Sequence, residues 1–194
     1  MTPQHAPERL LPWAYGAAAV GIVASAATLL LAMGRSPWCT CGSFAPWNGD
    51  AWGPENSQHL ADPYTFTHLT HGLLLYLLCR LASPGASGGT RFLLAVVAES
   101  GWEVLENTEW VIDRYRAATM ALGYYGDSVI NSVGDILACI VGFALAAVLP
   151  TRASILVAVL LELTLLLWIH DSLLLNLLML LHPIEAVKQW QLGS

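Results

Sequence analysis

His68 and His71, one helical turn apart, are followed by Glu99, Glu103, Glu106, Asp127 and Asp135, with Asn107 and Asn131 among them. All lie in or beside stretches otherwise apolar enough to sit in a bilayer. At about 100° per residue, Glu99, Glu103 and Glu106 fall within roughly 60° of arc on one helix. Asp127, Asn131 and Asp135 step along a stripe of roughly 80° on the next. A charged carboxylate at the centre of a membrane helix costs about 2.5 to 3.5 kcal/mol, so five left alone would cost on the order of 15 kcal/mol. They must be protonated, paired, hydrated or bound to a cation.

Two chemistries suit these residue types. Imidazoles beside carboxylates on neighbouring helices supply mixed nitrogen and oxygen ligands for a divalent metal, zinc first, with iron or manganese as alternatives. The expected ligands are His68, His71, Glu103 and Asp135. Carboxylates crowded in low dielectric share protons, which lets a general acid and a general base coexist near neutral pH. Glu103, Glu106, Asp127, Asp135 and Asn131 are the candidates for that work. The competing reading is a proton-sharing network that glues membrane helices together without chemistry.

The elements that must position these groups follow from composition. The chain has 194 residues, 56% hydrophobic and only 11% charged, with mean hydropathy +0.56, too apolar for an ordinary soluble domain of that size. Eight Lys and Arg are spread over the chain and form no basic stripe, which argues against nucleic acid as a partner. The expectation is one polytopic, all-α transmembrane bundle over residues 1–194 with five membrane helices, six being the alternative.

The first span runs from about Leu11 to Met33, long enough to cross at 1.5 Å per residue. Its length and its lack of a small-residue cleavage site favour a retained helix over a cleaved signal. A loop from 34 to 63, rich in Gly, Pro, Trp and Ser, is longer than an ordinary connection and is expected to cap the polar site. The second span covers about 64–82 and the third about 91–112. A polar connector over 113–123 leads to a fourth span from near Gly126 to Pro150, with a fifth after Thr151. Residues 173–181 are too short to cross alone and either prolong the fifth helix, re-enter or lie at the interface. The polar site then sits between the second, third and fourth spans.

An inside N-terminus places Arg9, Arg80, Arg91 and Arg152 on one side and Arg35, Arg114, Arg116 and Lys188 on the other, four against four. Asp50, Glu55 and Asp62 in the long loop tip the expectation to an N-terminus inside. Arg114 and Arg116 suit a lipid phosphate, and His59 and Asn107 are further candidates for substrate contact. Cys39 and Cys41 stand one residue apart, open to a strained mutual disulfide, a soft-metal pair or a tight loop that tolerates thiols. Gly126, Ser128, Ser132 and Gly134 read as a packing surface. No nucleotide loop, nucleophile elbow or His-Glu-x-x-His zinc motif is present.

Glu55-Asn56-Ser57-Gln58-His59, Tyr64-Thr65, His68 to Gly72, Trp102-Glu103, Glu106-Asn107 and Arg114-Tyr115-Arg116 are joined by Tyr124-Tyr125-Gly126-Asp127-Ser128, Asn131-Ser132 and Asp135. Together this set resembles an uncharacterised bacterial inner-membrane family, domain of unknown function 2585, from about residue 35 to 190. The likeness extends to His170-Asp171 and Asn176, with His at 170 where Arg is expected. The resemblance implies a multi-pass protein of the bacterial inner membrane and licenses no reaction.

The residues themselves suggest a membrane-embedded, metal-dependent hydrolase or transferase acting on a lipid or lipid-linked substrate, with membrane lipids as partners. A metal-ion or proton transporter or channel is the competing class, and a non-catalytic assembly factor the third. Oligomeric state does not follow from the sequence.

Overall fold

The computed structural model describes residues 12–193. Leu11, Arg9 and the polar opening stretch lie outside the described residues. The described chain is all helical: α1 (Pro12–Ala32), α2 (Thr65–Ala82), α3 (Gly88–Glu106), α4 (Glu109–Ala118), α5 (Val129–Val148), α6 (Thr151–Trp168), α7 (Leu173–Leu181) and α8 (Glu185–Gln191).

Three helices among the described residues, α1, α5 and α6, are both long and apolar enough to cross a membrane, fewer than the five expected. The reason is local. The 18 residues of α2 and 19 of α3 have the length, but His68, His71 and Arg80 on one and Arg91, Glu99, Glu103 and Glu106 on the other lower their apolarity.

The broad limits of the spans agree with the sequence pattern, while their ends differ for identifiable reasons. The third span does not run on to residue 112. Asn107 stops α3 by turning its side-chain amide onto the Glu103 carbonyl at 3.0 Å, and Thr108 then caps a separate α4. The segment read as connector is therefore helical as far as Ala118. The fourth span begins at Val129 rather than near Gly126, because Gly126 takes φ +96° and the Ser128 side chain caps α5 by accepting the Asn131 amide. Residues 173–181 do not prolong the fifth helix. The chain breaks at His170, left-handed at φ +54°, and Glu162 of α6 accepts the amides of Leu173 and Leu174 to start α7 afresh. At nine residues α7 spans only about 14 Å. Nothing in the hydropathy pattern announced α8.

α2 packs most extensively against α5, and α3 closes on both, with α1 behind α3. The α2 and α5 backbones nearly touch. A Cβ on Gly72 would sit 2.0 Å from the Cys139 carbonyl oxygen, and one on Gly142 would sit 2.0 Å from that of Leu69. Below this crossing Phe143 fills the core, edge-on to Tyr76 and Phe92. The outward faces are apolar: Leu77 and Leu81 on α2 and Leu94 and Val97 on α3 are exposed, and α6 buries only Leu165. A chain that buries His, Glu and Asp and exposes Leu has the polarity of a protein in lipid.

Candidate functional site

The loop end of the bundle is held by hydrogen bonds where the other end is held by packing. The first amides of α5 have no partner within their own helix, and residues 34–63 supply it. The amides of Val129 and Ile130 bond the carbonyls of Ser36 and Pro37, and that of Ser128 bonds the Ser57 carbonyl. Gln58 donates to the Gly126 carbonyl at 2.9 Å, and Asn131 donates to the His59 carbonyl at 2.9 Å. Buried Asp62 accepts the amides of Ser57 and Tyr64, and burial raises its carboxyl above the ordinary range. The long loop is thereby fixed over the N-termini of α2 and α5.

One turn into α2, His68 lies among three carboxylates from two other helices. Its Nδ1 is 2.6 Å from Glu99 and 3.2 Å from Glu103, and its Nε2 is 3.9 Å from Asp135 of α5. His71 meets the same Glu99, with Nδ1 at 3.1 Å from Oε2, so Glu99 bridges the two imidazoles. The Thr65 hydroxyl donates to Asp135 at 3.1 Å. Glu103 is 0% exposed, and neither of its carboxylate oxygens accepts a hydrogen bond among the described residues.

A second set of groups adjoins the first. Asn107 donates to Asp127 Oδ2 at 2.7 Å, and its own carbonyl oxygen accepts the Asp127 amide at 2.7 Å. The Tyr124 hydroxyl reaches Oδ1 at 2.9 Å. Burial pushes the Asp127 carboxyl up to about 6, against these bonds, which pull it down. Burial and the neighbouring Asp127 hold the Tyr124 hydroxyl protonated, so it remains a donor. Tyr115 of α4 lies close to Glu106, and both line the cavity. Asp127 was expected on the helical stripe of Asn131 and Asp135. It lies two residues ahead of α5 and reaches the site through the Gly126 turn and Asn107.

These groups floor a cavity of about 360 Å³. His68, His71, Glu99, Glu106, Asp127 and Asp135 line it, with Asn56 and Ser57 of the loop and Tyr64, Tyr115 and Tyr124. The same cavity is lined by Leu74, Leu75, Leu78, Ala98 and Trp102, and by Leu173, Leu174, Asn176, Leu177 and Leu180 of α7. Ligand atoms of His68, Glu103 and Asp135 lie within 4.8 Å of one another, as do those of His68, His71 and Glu99, and those of Glu103, Glu106 and Asp127.

Not every expected residue lines this cavity. Asn131 and Asn107 lie behind it, tying the loop and Asp127 in place. His59 is buried in the loop, where Nδ1 accepts the Ala45 amide and Nε2 meets Glu55 at 2.9 Å. Arg114 donates to the Leu180 carbonyl at the end of α7, and Arg116 donates to that of Tyr124 and pairs with Asp113. Both arginines brace the cavity wall. Cys39 and Cys41 form a disulfide beside Glu55 and His59. Sequence reasoning had placed Glu99 in the acidic cluster without giving it a role, and had left out the aromatic hydroxyls of Tyr64, Tyr115 and Tyr124. All three tyrosines belong to the motif set quoted above, whereas their convergence with Glu106 and Asp127 has no local signal. The α7 wall had none either.

Residues 30–193 match the family described as Protein of unknown function (DUF2585). The chain belongs to this family. It is similar to a UPF0314 protein of Paracoccus denitrificans, 49% identical over 170 residues, covering 88% of each chain. A UPF0314 protein of Brucella anthropi is 44% identical over 182 residues, covering 93% of this chain and 92% of the relative. The UPF0314 protein R03235 of Rhizobium meliloti is 47% identical over 176 residues, covering 91% and 89%. No solved structure matches the chain. The stretch matched to the family contains α2 to α8, hence every residue of the cavity.

Proposed function

We propose that the protein is a metal-dependent hydrolase or transferase of the bacterial inner membrane that acts on a lipid or lipid-linked substrate. The observation that carries this reading is a single cavity lined both by acidic and imidazole groups and by leucines of α2 and α7. A substrate that fits both must be amphipathic, with a polar group at His68, His71 and Asp127 and a chain along Leu74, Leu78 and Leu177.

His68, Glu103 and Asp135 are the groups that would hold a divalent cation, and such a cation lowers the pKa of a bound water toward neutrality. Glu99 faces His68 Nδ1, which leaves Nε2 for ligation, the carboxylate to imidazole arrangement that orients metal-binding histidines. His71 also leans on Glu99 and lines the cavity, so it is placed to take a proton from the attacking group. Glu103, fully enclosed, suits a ligand better than a base that meets substrate.

Five crossings follow from this reading, since α2 and α3 turn their polar groups inward and their leucines outward. An inside N-terminus would put the loop, α4 and the cavity mouth on the periplasmic side. A transporter needs a polar path to both faces. The close contact of Gly72 with Cys139 and the aromatic packing around Phe143 favour a pocket closed at one end.

Elemental analysis of the detergent-purified wild type beside His68→Ala tests the metal. Stoichiometric zinc, iron or manganese that is lost in the variant is expected, and a metal-free wild type that still turns over substrate would refute the mechanism. Incubation of the metal-replete protein with inner-membrane lipid extract, followed by mass spectrometry, is expected to show loss of a headgroup or its transfer, absent in His71→Ala.

A further inference from the structure

We infer that the site is dinuclear, with Glu103 bridging two divalent cations; this rests on the metal-dependent reading above and extends it. Glu103 belongs to two ligand groups at once. His68, Glu103 and Asp135 form one, and Glu103, Glu106 and Asp127 form the other, with the ligand atoms of each group within 4.8 Å of one another. No other residue is common to the two.

The state of Glu103 supports the bridge. It is 0% exposed, and both of its oxygens are without a hydrogen-bond partner among the described residues. A buried polar atom left unpartnered carries its full desolvation cost. His68 Nδ1 lies 3.2 Å from Oε1 but closer to Glu99, at 2.6 Å, so a single cation would satisfy one oxygen and leave the other at best that shared ion-pair contact. A cation on each side satisfies both, at the separation of about 3.5 to 4 Å found in two-metal sites.

Charge points to the same number. Glu103, Glu106, Asp127 and Asp135 bring four negative charges if ionised, which two divalent cations neutralise and one does not. Uncompensated charge in a low-dielectric interior is costly. Most terminal ligands also have a fixed outer partner, as metal ligands do. Glu99 holds His68, Thr65 holds Asp135, and Asn107 with Tyr124 holds Asp127, while Tyr115 neighbours Glu106. The first position has a nitrogen ligand and the second has oxygen alone, which suits zinc or iron at one and a harder cation such as manganese at the other.

The full chain in detergent, stripped with chelator and reloaded with manganese(II), provides the test. Bound metal per chain is measured by mass spectrometry, and spin coupling by electron paramagnetic resonance. The wild type is expected to hold about two ions with an exchange-coupled spectrum. Asp127→Asn and, independently, Glu106→Gln should retain about one ion and an uncoupled spectrum, and Glu103→Gln should lose most of both. Circular dichroism and gel filtration confirm that each variant is folded, and either of the first two suffices if the other is not. One ion in the wild type, unchanged by Asp127→Asn, overturns the bridge and leaves a mononuclear metal site standing. Two ions retained in all three variants place the metal elsewhere and overturn the bridge. No ion in the wild type overturns both readings.

Discussion

The same two helices, α2 and α5, meet in opposite ways at their two ends. Toward the 83–87 turn they pack backbone to backbone, with Gly72 against Cys139 and Gly142 against Leu69, and Phe143 seals the core beneath. Toward the long loop they meet through polar side chains, Thr65 donating to Asp135 at 3.1 Å and His68 lying 3.9 Å from it, with carboxylates from α3 beside them. One end derives its order from shape and the other from hydrogen bonds to the loop. A polar pocket inside a membrane bundle needs both: a packed seam that keeps the helices registered, and a satisfied polar end that stays open without water flooding the core.

Breaking the packed end should have the largest effect. Gly72→Val places a branched side chain against the Cys139 carbonyl, a backbone atom that cannot swing aside. Overpacking in a fitted core costs about 1 to 3 kcal/mol, and a clash with backbone more. The expected outcome is loss of monodisperse protein on gel filtration, with Gly142→Val behaving alike. If both variants keep the wild-type Tm in detergent, the seam is not what registers α2 and α5.

Breaking the loop end should cost less. Asn131→Ala removes a buried donor to the His59 carbonyl and leaves that oxygen unpartnered, a loss of about 1 to 3 kcal/mol. The variant should fold with a lowered Tm, and proteolysis should nick the 34–63 segment sooner than in the wild type. Equal nicking rates would show that the loop is held by other contacts.

The smallest effect sharpens the comparison through pH. Asp171, between α6 and α7, accepts from Tyr64, Asn176 and the Ser172 amide, and burial pushes its carboxyl up to about 6. A carboxyl raised in the folded state holds its proton more tightly folded than unfolded. The stability it contributes is full below the unfolded value near 3.8 and is lost as pH rises through about 6. Tm should fall by a few degrees between pH 4.5 and 6.5, and Asp171→Asn should flatten part of that slope. A Tm that rises over this interval would contradict the burial argument for Asp171.

Polar residues at helical spacing in apolar runs were enough to foresee a helical bundle with a polar site between the segments now seen as α2, α3 and α5. His68, Glu103 and Asp135 do meet. The pairing of His71 with Glu99 was not legible, because spacing places residues on a face and says nothing of which neighbour that face meets. Asp127 shows the limit from the other side. Its i, i+4 relation to Asn131 looked helical, yet Gly126 and Ser128 end the helix short of it, and Asn107, 20 residues earlier, positions it.

By itself the sequence determined the membrane character, the rough extent of the long helices and the need to neutralise buried carboxylates. Those depend on composition and on a period of 3.6 residues, which are local. Only the tertiary structure decided that α3 and α4 are separate, that α7 forms a cavity wall, that Arg114 and Arg116 brace it, and that Glu103 is shared by two clusters of buried polar groups. Each of these is fixed by a contact between residues far apart in the chain, chosen by the packing of whole helices and the partnering of buried polar atoms.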